Sequence, residues 1–186
     1  FSWKEPNISF QNNTNIFLNL LEAIRKLNIA TRILSVGSSE EYGNVDPVDL
    51  PLTENHPLRP VSPYAVARVS QELLSKIYAT GYGLDILMTR SFNHIGPHQK
   101  DVFVVSSFVK QMVEMKYNGA GANKLIAGDT TIIRDFTDVR DVVSAYYMLL
   151  TMGKKGEVYN VCNGKGWTLK DIIEKNYVLK IEKEIF

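Results

Sequence analysis

Short apolar runs at residues 32–36, 84–90 and 157–161 are separated by segments whose apolar residues recur at helical spacing. That alternation narrows the fold more than any other feature of the chain. Strands joined through helices need crossover connections, which pair the strands in parallel and lay helices on both faces of the sheet. The expected class is therefore α/β with a doubly wound parallel sheet. At 186 residues the chain is long enough for one domain with a real core and short for two.

The order of elements is read from caps and breakers. Asn13-Thr14 is taken to cap a helix over residues 14–27, with Ile16, Leu20, Leu21, Ala23, Ile24 and Leu27 on its apolar side. Residues 44–61 contain Pro47, Pro51, Pro57 and Pro60 and read as an irregular surface loop. Ser62 caps the next helix with Pro63 at its first position, and that helix is expected to stop at Gly81. A helix over 102–117, a turn over 118–123, a strand near Leu125 and a helix over 139–152 follow. Thr168 with Asp171 forms a capping-box start to a last helix, with Asp in place of the usual Glu. The expected division is a domain portion over 1–174 and an atypical tail over 175–186, where apolar periodicity fades.

Bulk properties exclude several functions. A net charge of +1, with 22% charged and 45% hydrophobic residues, gives no reason to expect a nucleic-acid or membrane partner. No apolar run approaches the ~18 residues of a membrane span, and the first residues carry no signal-peptide pattern. The single cysteine, Cys162, rules out an intramolecular disulfide and is expected to be a small buried hydrophobe. His56 and His98 lack metal-ligand spacing, so no metal site is expected. A reduced, cytoplasmic enzyme is the default expectation.

The chemistry concentrates in two segments. Gly37-Ser38-Ser39-Glu40-Glu41-Tyr42-Gly43 follows the first apolar run, and Ser62-Pro63-Tyr64-Ala65-Val66-Ala67-Arg68 opens a helix. Tyr64 and Arg68 stand four apart and project from the same helical face. A phenol is too weak an acid to serve as a base at neutral pH, but a neighbouring cation and the positive first turn of a helix both stabilise the phenolate. A hydroxyl of Ser38 or Ser39, at a strand end, can donate to an oxygen that gains charge. The plainer alternative is an ordinary surface Tyr-Arg pair.

With Arg90-Ser91-Phe92-Asn93-His94-Ile95-Gly96-Pro97, Arg134-Asp135-Phe136-Thr137-Asp138-Val139-Arg140-Asp141 and Tyr159-Asn160-Val161-Cys162-Asn163-Gly164, these segments resemble the extended short-chain dehydrogenase/reductase family of nucleotide-sugar enzymes. The resemblance is to the NAD-dependent epimerase/dehydratase type, in the branch of GDP-mannose 4,6-dehydratases and GDP-4-keto-6-deoxymannose reductases. It implies a Rossmann-type fold with part of a small substrate-binding region. It implies NADP as cofactor, with NAD as the alternative, and a GDP-linked hexose as substrate. Ser38, with Ser39 beside it, matches the hydroxyl that holds the sugar oxygen. Tyr64 matches the catalytic proton donor and acceptor, and Arg68 the cation beside it that also meets the cofactor. Glu40 matches the dehydratase glutamate acting on the sugar C5 proton, but reductase-like sequences can carry glutamate there too, so it does not decide between the two reactions. His94 matches a residue at the nicotinamide end of the cofactor, or else is a hydrogen-bonded loop histidine. Asn93 and Arg134 match residues near the substrate diphosphate, with a structural Arg134–Asp135 ion pair as the alternative. The resemblance further implies a homodimer through helices near residues 14–27 and 63–80.

Two departures accompany the match. The family's lysine is replaced by Arg68, a wide planar fork in place of a compact ammonium, and a large loss of rate is expected. Phe1-Ser2-Trp3 matches a point after the family's first strands and glycine-rich loop, so an incomplete cofactor site is expected. Asn93-His94-Ile95-Gly96-Pro97 favours a reductase fragment, with a dehydratase fragment as the alternative. A non-catalytic remnant that only associates with full-length subunits, and a degraded reading frame, are the competing non-enzyme readings.

Overall fold

The structure, a computed structural model, describes residues 1–117 and 124–182, with side chains described as far as Lys175. The turn expected over 118–123 therefore lies outside the described residues. The chain forms two compact units, one of Phe1–Phe92 with Asp141–Cys162, the other of Asn93–Arg140 with the described residues from Asn163 onward.

In the first unit α1 (Pro6–Phe10) runs through a π-helical turn (Gln11–Asn15) into α2 (Ile16–Lys26). The helix thus begins earlier than the expected cap at Asn13-Thr14. Thr14 is buried and its hydroxyl donates to the carbonyl of Ala67 at 3.4 Å, so it ties two helices together instead of opening one. Leu21 and Ile24 are buried, whereas Ile16, Leu20 and Leu27 of the expected apolar side are exposed.

Strands β1 (Arg32–Ser38) and β2 (Asp85–Ser91), with β5 (Val158–Val161), form a parallel sheet in the order β1-β2-β5. Arg32 pairs with Asp85 and Ser38 with Ser91, while Ser91 also pairs with Val161. Alternation along β2 separates its two faces. Ile86 packs with Tyr78 and Ala79 of α3 (Pro63–Gly81), and Arg90 reaches Glu72 of the same helix. On the other face Ser91 hydrogen-bonds Tyr146 of α5 (Val139–Met152) at 2.6 Å. Helices therefore cover both faces, as the alternation of elements requires. Each large side chain fully buried here, such as Leu21 or Ile86, contributes roughly 1.5–3 kcal/mol.

In the second unit β3 (Asn93–Ile95) pairs in parallel with β4 (Ile133–Asp138), and β6 (Gly166–Thr168) pairs antiparallel to β4. Phe108 and Met112 of α4 (Val104–Tyr117) pack on Phe136 and on Leu169 of α6 (Leu169–Glu182). No strand forms at Leu125. The Gln111 side-chain amide instead takes the N–H of Ile126 at 2.8 Å and donates to its carbonyl at 3.1 Å, satisfying the backbone where a partner strand would have. The Thr168–Asp171 box forms as expected, with Asp171 N–H to Thr168 Oγ1 at 3.0 Å and Thr168 N–H to Asp171 Oδ2 at 3.1 Å. Cys162, expected to be buried, is exposed just past the end of β5. Among the described residues no helix is long and apolar enough to cross a membrane, and no cluster of acids, histidines and cysteines could hold a metal ion.

Candidate active site

The end of β1 turns into a single 3-10 turn, Ser39–Tyr42, and its caps determine how Ser38 is presented. Ser38 is extended, its Oγ accepts the N–H of Glu40 at 3.2 Å, and its own N–H is taken by the Glu41 carboxyl at 2.7 Å. Because Oγ is engaged only as an acceptor in that bond, the hydroxyl proton can be directed elsewhere. Glycine is required just before it. A Cβ on Gly37 would collide with Glu41 Oε1 and lie 2.5 Å from the carbonyl oxygen of Thr89.

Tyr64 is the second residue of α3. Ser62 caps this helix by accepting the N–H of Ala65 at 3.1 Å, and its hydroxyl donates to Glu40 Oε2 at 3.4 Å. One serine thus links the turn carrying Ser38, Ser39 and Glu40 to the helix start carrying Tyr64. The Arg68 guanidinium carbon lies 5.0 Å from the centre of the Tyr64 ring, in cation–π range. Arg68 Nη1 donates to Gln71 Oε1 at 2.7 Å and to the carbonyl of Val36 at 3.3 Å, while the buried Nε has no protein partner. Gln71 is itself buried and donates to Ser35 Oγ at 3.0 Å and to the carbonyl of Val36 at 3.1 Å. Arg68 is therefore clamped to the strand end by a glutamine.

Behind the turn lies a buried polar network. Glu72 and Arg90 form a two-pronged ion pair, 2.8 Å for each prong, with both side chains only 3% exposed. Lys76 adds a third contact to Glu72 at 2.7 Å. Burial alone would raise the Glu72 pKa, but hydrogen bonds from Arg90 and Lys76 outweigh it and hold the carboxyl below its usual range. Arg90 Nη1 donates to the Tyr42 hydroxyl at 3.0 Å, and Tyr42 donates to Asn160 Oδ1 at 2.6 Å. Burial above all pushes the Tyr42 phenol above its ordinary value.

In the second unit Asn93 and His94 stand on β3, and Arg134 is exposed on β4. The Asn93 amide donates to the carbonyl of Asp135 at 3.1 Å. His94 is a half-buried strand residue, not a loop histidine. Burial holds its pKa below the ordinary imidazole value, and its Nδ1 is buried without a partner. The Arg134–Asp135 alternative is not realised. Arg134 Nη1 donates to the carbonyl of Ile133 at 2.9 Å, whereas Asp135 accepts the successive N–H groups of Asn163, Gly164 and Lys165 at 2.9, 2.7 and 3.1 Å.

The structure thus brings Ser38, Ser39, Glu40, Tyr64 and Arg68 together within the first unit, and carries Asn93, His94 and Arg134 in the second. Sequence reasoning missed Glu41, Gln71 and Asp135. Glu41 and Asp135 each stand in a singled-out segment, Gly37 to Gly43 and Arg134 to Asp141, but sequence reasoning gives Glu41 no role and Asp135 only that of partner in an alternative ion pair, while Gln71 has no signal. Two features, each within its own unit, suit a ligand's polar groups: Arg68 Nε in the first unit and His94 Nδ1 in the second are buried polar atoms without protein partners, of the kind a ligand completes. Among the described residues no positive-φ glycine opens an α-helix, since Gly43 follows the 3-10 turn and Gly83, Gly156 and Gly164 lead toward β2, β5 and β6.

Comparison with known proteins matches the chain, in sequence and in fold, to one family. The family model described as GDP-mannose 4,6 dehydratase matches residues 1–186. GDP-6-deoxy-D-mannose reductase of Pseudomonas aeruginosa is 40% identical over 173 residues, which are 93% of this chain and 57% of that protein. A dTDP-glucose 4,6-dehydratase of an Actinoplanes species is 34% identical over 148 residues, 80% of this chain and 43% of that one. Among solved structures, RMD from Pseudomonas aeruginosa complexed with NADPH superposes with a TM-score of 0.89 at 40% identity, covering 93% of this chain and 59% of that chain. The dTDP-glucose 4,6-dehydratase from Bacillus anthracis in complex with NAD gives 0.82 at 27% identity, covering 94% and 54%. The chain thus spans about half the length of the relatives it matches.

Proposed function

The chain belongs to the GDP-mannose 4,6 dehydratase family, within the Rossmann-type nucleotide-sugar short-chain dehydrogenases, and from that membership we propose that it carries the catalytic half of an NADP(H)-dependent reductase acting on a GDP-linked 4-keto-6-deoxy sugar. The observation that carries this reading is the Ser62 bridge, which joins the Ser38 turn to the helix start bearing Tyr64. NADPH, when bound, supplies the hydride that the C4 ketone takes up, with NAD as the alternative cofactor. Tyr64 gives its phenolic proton to the C4 oxygen as negative charge develops there, so a ketone becomes a hydroxyl and the phenolate regains a proton from solvent. Ser38, assisted by Ser39, donates to the same oxygen. Tyr64, Arg68 and His94 would hold the nicotinamide end, and Asn93 and Arg134 the substrate diphosphate. The domain portion over 1–174 and the atypical tail over 175–186 belong to the same reading, as does pairing of two copies through α2 and α3.

Glu40 supports a second reading. It is exposed and its carboxylate accepts from Ser62, which leaves a base beside the Tyr64 helix that could take a sugar C5 proton in a 4,6-dehydratase.

The test is a titration of the chain with NADPH followed by fluorescence or calorimetry, then assay with GDP-4-keto-6-deoxymannose. Saturable micromolar binding with oxidation of NADPH supports the reductase. Release of a 4-keto product from GDP-mannose supports the dehydratase. Absence of binding removes both and favours a chain that acts only by joining a longer subunit, detectable by co-purification.

A further inference from the structure

Glu41 has no part in the chemistry proposed above, yet it is completely buried and lies between the Ser38 turn and the Glu72–Arg90 ion pair. One oxygen takes the Ser38 N–H at 2.7 Å, and the other, Oε2, is buried without a donor. The charged and titratable groups facing it come from each element packed against it. Glu72 and Lys76 belong to α3 and Arg90 to β2, Tyr42 is its neighbour in the turn, and the backbone N–H of Arg59 in the following loop meets the Glu41 carbonyl at 3.1 Å. The cations are already committed. Lys76 is on Glu72, and Arg90 gives Nε and Nη2 to Glu72 and Nη1 to Tyr42 and the carbonyl of Glu54. Two carboxyls in hydrogen-bonding contact cannot both be ionised without strong repulsion. Glu72 holds the charge because its oxygens are the ones the cations reach. Glu41 therefore holds the proton, and its O–H gives the orphaned Oε2 a role as a donor toward Glu72. Burial is the largest cause of this, with the Glu72 charge and contact adding to it, and together they push Glu41 up to about 7.

We propose that Glu41 is a positioning residue, a buried carboxyl that shares its proton with Glu72 while its other oxygen holds the Ser38 N–H, so that gain or loss of that proton is felt at the Ser38 backbone. Its relevance to catalysis rests on the proposed role of Ser38; the shared proton does not. Gly37 is part of the device, because any side chain there would displace the Glu41 carboxyl. The folded state binds more protons than the unfolded chain between the ordinary carboxyl value of 4.5 and about 7. Stability from this group is thus fully present below the lower value and is lost as pH rises toward the upper one.

The experiment is residue-resolved NMR of the chain with labelled glutamate carboxyl carbons and backbone nitrogens, from pH 4 to 9. One glutamate carboxyl is expected to titrate at about 7, well above the ordinary value of 4.5, and to vanish in Glu41→Gln. The Ser38 amide signal is expected to move with the same midpoint in the wild type and to stay fixed in Glu41→Gln, whose amide still accepts from Ser38 and donates to Glu72. A Glu41 carboxyl titrating with the other glutamates, or a Ser38 amide indifferent to that midpoint, overturns the proposal. The wild-type titration decides it alone if Glu41→Gln does not fold. NADPH titration of the same samples separates the two readings, since coupled Glu41 and Ser38 titration without NADPH binding leaves this proposal standing and removes the reductase.

Discussion

Arg90 and Arg68 show how differently one side-chain type can be used on neighbouring elements. Arg90 is 3% exposed and its guanidinium is shared between Glu72, Tyr42 and a loop carbonyl. Removing one partner of such a pair strands a buried charge, so Arg90→Met is expected to lower unfolding free energy by about 3–5 kcal/mol, read from urea denaturation. Removing Lys110 from its exposed pair with Asp101 is expected to leave the midpoint unchanged. Arg68 instead spends its Nη1 on Gln71 and Val36 and lays its plane over the Tyr64 ring. A lysine there has no rigid planar fork to hold it in that arrangement, and its compact ammonium on a flexible stem can turn toward the ribose and the phenol. Arg68→Lys is expected to raise kcat for NADPH-dependent reduction at least about tenfold, equivalent to about 1.4 kcal/mol of barrier. An unchanged kcat in steady-state kinetics would mean that Arg68 already does the lysine's work.

At the scale of elements, α3 depends on its first residue more than on its length. Ser62→Ala removes the acceptor for Ala65 N–H and the donor to Glu40 together. It is expected to cost about 0.5–2 kcal/mol in thermal or chemical unfolding, and Ser62→Gly only a few tenths. A loss of turnover much larger than the stability change would identify the link to Glu40 as the part that matters. This helix start was legible because capping is local chemistry: Ser62, Pro63, Tyr64 and Arg68 stand in positions that spacing alone assigns. The start of α2 was not legible, because Thr14 answers to a carbonyl on another helix and not to its own N-terminus. The strand expected near Leu125 failed for a related reason, since one glutamine side chain meets the backbone groups of Ile126. Glu41 was invisible for the opposite cause. Glu41 stands beside Glu40 in a serine-rich turn, and nothing local shows that one of the two is fully buried against Gly37 while the other is exposed.

For the whole molecule, the largest unexplained feature of the first unit is apolar surface on two helices. Ile16, Leu20 and Leu27 lie along one stripe of α2 at 62%, 51% and 71% exposure, and Val66, Leu73 and Ile77 along one stripe of α3 at 44%, 51% and 56%. Spacings of four, seven and eleven residues place each set on a single helical face. Isolated exposed leucines need no explanation, but a stripe of them along each of two successive helices is the kind of surface that marks an interface. The proposed pairing of two copies would cover them, because a two-fold axis sets each stripe against its own equivalent and needs no complementary surface elsewhere. Stable pairing requires roughly 1,600 Å² of buried surface in total. The chain is therefore expected to sediment as a dimer at micromolar concentration. Leu73→Lys, which places a charge in the middle of the α3 stripe, is expected to shift it to monomer with little change in secondary structure by circular dichroism. A wild-type monomer at the same concentration would assign these stripes to some other covering, and the same variant would then leave the mass unchanged.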